Sequence, residues 1–134
     1  MNVTLVELRN VESLDRFLEL SKRSPVVIFK HSETCGISDR AYREMLDLAW
    51  RASHRSNIDG QTAIPIGIVA IQTCPEVSNE IEARTGVDHE SPQVLVIADR
   101  KVVWSTSHGG VRAEAIEGAV REAGRGSEQL VRER

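Results

Sequence analysis

The chain holds two cysteines, Cys35 and Cys74, and thiol chemistry is the first chemistry to consider. Cys35 follows Lys30-His31-Ser32-Glu33-Thr34 and precedes Gly36-Ile37-Ser38. Its neighbours are therefore polar, and Gly36 removes bulk beside the sulfur. Upstream stands the apolar run Val26-Val27-Ile28-Phe29, of the buried-strand kind; downstream, from Ser38, a long helical pattern begins. A thiol in such a strand-to-helix loop points into the positive end of the helix, where backbone N–H groups and the dipole stabilise a thiolate. The thiolate is the nucleophile, so this position predicts reactivity. The competing expectation is a buried, inert cysteine, the commoner fate of a lone thiol.

Only one thiol occupies the motif Cys35-Gly36-Ile37-Ser38. Ser38 stands where a second cysteine would resolve a mixed disulfide. Its hydroxyl can donate a hydrogen bond to a thiolate, or cap the helix, but it cannot attack a disulfide. A cycle run from Cys35 should therefore stop at a mixed disulfide until an outside thiol arrives. Cys74 closes the second β-branched run and should reach the same edge of the sheet as Cys35, one strand away. It is a possible resolving thiol after loop movement. The competing expectation is a semi-buried spectator, since adjacency of strands alone leaves the Cα separation above the roughly 7 Å a disulfide tolerates.

Several other residues are candidates for binding a thiol or its substrate. Lys30, in a loop expected over 30–34, is positioned to lower the thiol pKa or hold an anion. His31 is a candidate proton shuttle or a merely solvated loop histidine. Ser32 and Thr34 supply hydroxyls beside the sulfur. Ser91-Pro92-Gln93 precedes a strand. A cis X–Pro bond there would leave a neighbouring backbone amide and carbonyl free to pair with an extended substrate. His108-Gly109-Gly110 precedes the last helical pattern, where glycines allow close approach and a helix N-terminus favours a carboxylate; a simple turn is the plain alternative. The histidines show no metal-ligand spacing with the cysteines, so no metal is expected. Trp50 and Trp104 sit in apolar patterns and are expected in the core.

The elements that must position these residues follow from periodicity. Residues 13–23 and 38–53 read as amphipathic helices, the second with Tyr42, Met45, Leu46, Ala49 and Trp50 on one face, ended by Ser56-Asn57-Ile58-Asp59-Gly60. Residues 64–71 read as a strand entered near Pro65. Pro75 suits a helix first turn, and that helix runs to Gly86. Val94-Leu95-Val96-Ile97 and Val102-Val103-Trp104 form a hairpin through Ala98-Asp99-Arg100-Lys101. Residues 111–123 close the chain with a helix. The βαβ part requires parallel pairing and the hairpin an antiparallel edge. An α/β domain follows, with a mixed central sheet of about four strands and helices on both faces. It should span 1–124, with 125–134 a polar tail, frayed or a short helix extension.

At 134 residues the chain is one domain that needs no disulfide or metal staple. Seventeen Lys plus Arg against twenty Asp plus Glu leaves a net charge of −3 with both signs interspersed; there is no basic stripe for nucleic acid. No secretory signal and no bilayer-length apolar run is visible. The cytoplasm is the expected address, and a reducing compartment disfavours a structural disulfide.

The element order is that of the thioredoxin fold. Within it, Phe29-Lys30-His31-Ser32-Glu33-Thr34-Cys35-Gly36-Ile37-Ser38 resembles the active-site stretch of the bacillithiol-system YtxJ-like family, the monothiol bacilliredoxins. Pro75-Glu76-Val77-Ser78-Asn79, His89-Glu90-Ser91-Pro92-Gln93 and Ser107-His108-Gly109-Gly110 match further, in the family's order, over residues 5–123. The resemblance implies a thiol–disulfide oxidoreductase without resident cofactor. Its partners would be a bacillithiol-type low-molecular-weight thiol, as co-substrate, and S-thiolated cytosolic proteins. Cys35 would take the small thiol onto itself. Family members often carry Pro where Gly36 stands, and need no cysteine at position 74. Cys35-Gly36-Ile37-Ser38 is also similar to the C-G-F-S motif of monothiol glutaredoxins, which carry iron–sulfur clusters with glutathione as co-ligand. This chain lacks the Trp-Pro pair of that family. A third expectation is a thioredoxin-fold adaptor that leaves Cys35 unused.

Overall fold

Alternation along the strands decides the architecture. Val26 and Ile28 turn to one face of the sheet, Val27 and Phe29 to the other, and both faces are covered, so the run is apolar throughout. The computed structural model describes residues 5–32, 36–59 and 64–132, with side chains at 5–32, 39–51 and 64–124. Its elements, in order, are β1 (Leu5–Glu7), α1 (Val11–Leu20), β2 (Val26–His31), α2 (Gly36–Asp59), β3 (Ile66–Ala70), α3 (Pro75–Thr85), β4 (Gln93–Ala98), β5 (Lys101–Ser107) and α4 (Ala113–Arg132), with a single 3-10 turn at His108–Gly110.

The sheet order is β1-β3-β2-β4-β5. β3 pairs in parallel with β1 and β2, and β4 runs antiparallel to β2 and β5. The sheet is mixed, as expected, but has five strands rather than about four. The added strand, β1, has only three residues, too few to show a period. Its backbone continues into a bond from Leu8 N–H to the Ile68 carbonyl at 2.9 Å.

Two apolar clusters flank the sheet. Val27, Phe29, Ile66, Val94 and Val96 pack under Met45 and Leu48 of α2 and Ile116 of α4. Val26, Ile28, Leu95 and Ile97 pack under Leu14 and Phe17 of α1 and Val77 and Ile81 of α3. Gly67, in the middle of β3, lets α1 come close: a Cβ there would lie 2.7 Å from Leu8 Cδ1 and 2.9 Å from Phe17 Cε2. The helices are punctuated by local chemistry. Asn10 and Ser13 form a reciprocal capping box at the start of α1. Pro75 opens α3, and Gly86, at φ 73°, closes it in the left-handed region. The β4–β5 hairpin turns on Asp99 and Arg100, both at positive φ, the conformation whose twist suits a two-residue hairpin. Asp99 and Arg100 donate their N–H groups to the carbonyl and hydroxyl of Ser21, both at 2.8 Å, which clips the turn to the end of α1.

Three expectations are corrected. β2 runs on through Lys30 and His31, which pair with Val69 and Ala70 of β3; the expected loop over 30–34 is shorter because strand pairing outweighs the polarity of these two side chains. α2 continues to Asp59 instead of breaking at Ser56; Ser and Asn cost a helix only tenths of a kcal/mol, roughly, and no proline or glycine intervenes. Trp50 and Leu46 are not core residues: they are 55% and 46% exposed. The buried stripe of α2 is Ala41, Met45, Leu48 and Ala49. Leu46 and Trp50 each follow a stripe residue by one position, about 100° around the helix. Trp104 is partly buried and packs against the first cluster. α4 extends as helix to Arg132, through Gly124 and Gly126. Among the described residues no helix is long and apolar enough to cross a membrane.

Candidate functional site

β2 is the middle strand, and its carboxyl end delivers the candidate residues. Chain connectivity sets Cys35 between Ser32 and the first residue of α2, Gly36. Cys35, Thr34 and Glu33 lie outside the described residues, as do the side chains of Ile37 and Ser38. A helix of 24 residues beginning one position after the cysteine directs its unpaired N–H groups and positive dipole end to that point of the chain.

The frame around this point is described. His31 stacks on Phe29 with ring centroids 5.4 Å apart and meets Tyr42 of α2 edge-on at 5.6 Å. The imidazole thus packs on the α2 face instead of standing free in a loop. The Ile71 N–H donates to the His31 carbonyl at 3.0 Å, and the Gln72 amide donates to the Ser32 hydroxyl. Tyr42 and Gln72 are contributors that sequence reasoning did not assign to the site. Tyr42 had a signal in its helical spacing; Gln72, in the turn after β3, had none.

Lys30 goes the other way. Alternation turns it to the α1/α3 face, where it is fully buried and its Nζ donates to the Ser78 carbonyl at 3.3 Å. Burial pushes its pKa below the ordinary lysine value, with the charge of Glu82 opposing. Lys30 is therefore a buried strand residue and not part of the loop expected over 30–34, because β2 runs two residues further than the apolar run.

The Ser91–Pro92 peptide bond is cis. The Pro92 carbonyl is taken by the His108 N–H at 2.9 Å, whereas the Ser91 N–H and carbonyl make no hydrogen bond among the described residues. Ser91 Oγ and Gln93 Oε1 are buried without a hydrogen-bond partner; the Gln93 amide nitrogen donates to the Asp88 carbonyl at 2.9 Å. His108, at φ 52°, also approaches Glu90 through Nε2 at 3.4 Å, so the 3-10 turn is strapped to the 90–92 segment by backbone and side chain. Gly109 borders open space, while a side chain at Gly110 would collide with the Thr106 hydroxyl.

A carboxylate from within the chain caps the last helix. α4 begins at Ala113, three residues beyond Gly110, and the Ala113 N–H donates to Glu44 Oε1 at 3.0 Å. Glu44→Ala should therefore cost about 1 kcal/mol of unfolding free energy, the usual value of a lost helix cap, read from the urea midpoint. No change would show that water replaces the cap without loss.

Cys74 follows the turn after β3, 7% exposed, among Val77, Ile81 and the rest of the α1/α3 cluster. To meet another thiol it would have to leave this packing. Among the described residues no group of three or more His, Cys, Asp or Glu gathers as a metal site.

A family model described as monothiol bacilliredoxin BrxC matches residues 6–116. Among solved structures, one described as having a thioredoxin fold superposes with a TM-score of 0.74 at 25% identity, covering 87% of this chain and 93% of that one. Fasciola hepatica thioredoxin is similar with a TM-score of 0.66 at 14% identity, covering 88% and 98%. Thioredoxin from Trypanosoma brucei brucei gives 0.68 at 12%, covering 91% and 92%. The fold is that of thioredoxin, and the family match supports a thiol–disulfide redox function.

Proposed function

We propose, for a chain that belongs to the monothiol bacilliredoxin family, that it removes a bacillithiol-type small thiol from mixed disulfides on cytosolic proteins, with Cys35 as nucleophile. The observation that supports this reading is the topology. Position 35 follows the carboxyl end of the central strand and immediately precedes a long helix, the setting in which a thiolate is stabilised. The neighbouring Ser91 backbone is unpaired among the described residues and is suited to hold an extended substrate.

In this cycle the Cys35 thiolate attacks the small-thiol sulfur of the mixed disulfide. The protein thiolate leaves and takes up a proton, and Cys35 carries the small thiol in a new disulfide. A second small thiolate then attacks that disulfide, leaves as the oxidised small molecule, and returns Cys35 to its thiolate. Electrons balance without a resident cofactor, since one disulfide is consumed and one is formed at each step. Ser38 would support the thiolate by hydrogen bonding, and Thr34, Ser32, Pro92 and Gly109 would border the incoming thiol. Cys74 is not required.

Intact mass of the reduced protein after incubation with a bacillithiolated test protein checks this. One small-thiol adduct is expected on wild type and on Cys74→Ala, absent from Cys35→Ala, and removed by free thiol. Loss of two mass units without an adduct would replace the monothiol cycle by a Cys35–Cys74 bridge. No change in mass would exclude exchange with this class of thiol.

A further inference from the structure

A polar chain that the cycle above does not use runs from the core out to the exposed His89, two residues before Ser91. It begins at Lys30 on β2, whose ammonium reaches the Ser78 carbonyl in the first turn of α3. The Ser78 hydroxyl, in turn, shares a hydrogen bond with His89 Nδ1 at 3.1 Å. The His89 backbone N–H donates to Glu82 Oε2 at 2.5 Å. Lys30 and Gln93 are direct partners in the β2–β4 ladder, and Gln93 reaches back to the Asp88 carbonyl. Segment 87–91 has no regular structure of its own; these bonds attach it to α3 and β4 together with Val87, which donates its N–H to the Thr85 hydroxyl and packs on the second cluster.

We propose that His89 is a positioning residue: held by Ser78 and, through Ser78, by Lys30, it fixes the main chain two residues on, at Ser91, for pairing with the protein substrate. The proposal rests on the exchange reading above and names a residue through which that site recognises protein rather than small-molecule disulfides. Three features favour it. The bonds from His89 go to a helix that is itself anchored in the core by Val77 and Ile81, so the segment is tied to a rigid body. Lys30 is fully buried and its ammonium makes a single hydrogen bond among the described residues, a costly arrangement for a residue serving only to fill space. And Ser91, the residue so located, has its own N–H and carbonyl unpaired among the described residues.

The charges that act on the imidazole are Lys30 from β2, Glu82 from α3 and Glu90 from its own segment. Burial and then the Lys30 charge push the His89 pKa below the ordinary imidazole value, against Glu82 and Glu90. The neutral ring is the form the fold prefers. Its contribution is therefore complete above about pH 6.5 and is lost as pH falls through the depressed value, when a second cation forms beside Lys30.

The test is steady-state exchange of full-length wild type, Ser78→Ala, His89→Ala and His89→Asn, with a bacillithiolated protein and with oxidised bacillithiol. Iodoacetamide alkylation of Cys35 serves as a measure that needs no docking. For the protein substrate, His89→Ala and Ser78→Ala should raise KM about tenfold, the worth of one or two hydrogen bonds, with kcat unchanged. His89→Asn, whose amide stands where Nδ1 was, should restore KM. The small disulfide and the alkylation rate should be unaffected, and wild-type KM should climb as pH falls through the depressed His89 value while that of His89→Asn stays level. Equal KM in all variants overturns the proposal, as does a loss that alkylation shares, which would place the effect on the thiol. Wild type inert toward both disulfides would instead overturn the exchange reading, and the positioning role with it.

Discussion

Phe29→Ala should lower the free energy of unfolding by about 3–5 kcal/mol, the range for emptying a large aromatic site in a packed core. Phe29 is fully buried on β2, in the cluster that also holds Met45, Leu48, Val94, Val96 and Ile116. Four elements meet around the ring, so no single one can move in to fill the space, and the cost should fall in the upper part of that range. Against the total of roughly 5–15 kcal/mol typical of a single domain, this is a large share. The same ring supports His31 and, at 6.1 Å, Tyr42, so exchange activity should fall in the fraction that stays folded. Urea unfolding followed by circular dichroism gives the first number. A cost under about 1 kcal/mol would mean that α2 collapses onto the sheet, contrary to the tight packing seen here.

The second large effect concerns the thiol itself. Cys35→Ser should reduce release of small thiol from a mixed disulfide at least a thousandfold, about the scale on which loss of a nucleophile is felt. A serine hydroxyl is not ionised near neutrality and forms no disulfide, so nothing in the position can take the small thiol. Cys74 should not substitute for it, because it is buried in the cluster that holds Val77 and Ile81 and lacks the exposure that reactivity needs. The measurement is small thiol released against time, for Cys35→Ser and Cys74→Ser side by side. A substantial rate in Cys35→Ser that disappears when Cys74 is also replaced would overturn the assignment and make Cys74 the nucleophile.

Much of the architecture was legible because it is written in short-range signals. The apolar run at 26–29, Pro75, Gly86 and the Asp99-Arg100 turn each mark an element by a local physical rule, and together they specify a mixed α/β sheet. β1 was not legible, since three residues carry no period and this strand exists by pairing with β3. The burial of Lys30 could not be read either. Its side depends on whether β2 ends at Phe29 or at His31, and that is decided by partners 39 and 63 residues away, Val69 and Gln93. Trp50 is apolar but lies outside the core, because one position past Ala49 it turns about 100° away from the buried stripe. The same limit applies at the site. Ser91 and His108 stood out as types in context, but the tie from Ser78 to His89 joins two polar residues eleven positions apart, and no pattern announces it.

The segment proposed to carry the nucleophile follows the strand that should melt last. β2 has a hydrogen-bonded neighbour on each side, whereas β1 and β5 each have one open edge. Amide protons of β2 should therefore open only with the whole molecule, while the edges fray in smaller excursions. A heated or partly denatured sample would then lose its borders before it loses the support of its working thiol. Activity should outlast the earliest spectroscopic signs of disorder and vanish with global unfolding. A thiol–disulfide exchange protein built this way keeps its central segment supported until the whole sheet gives way.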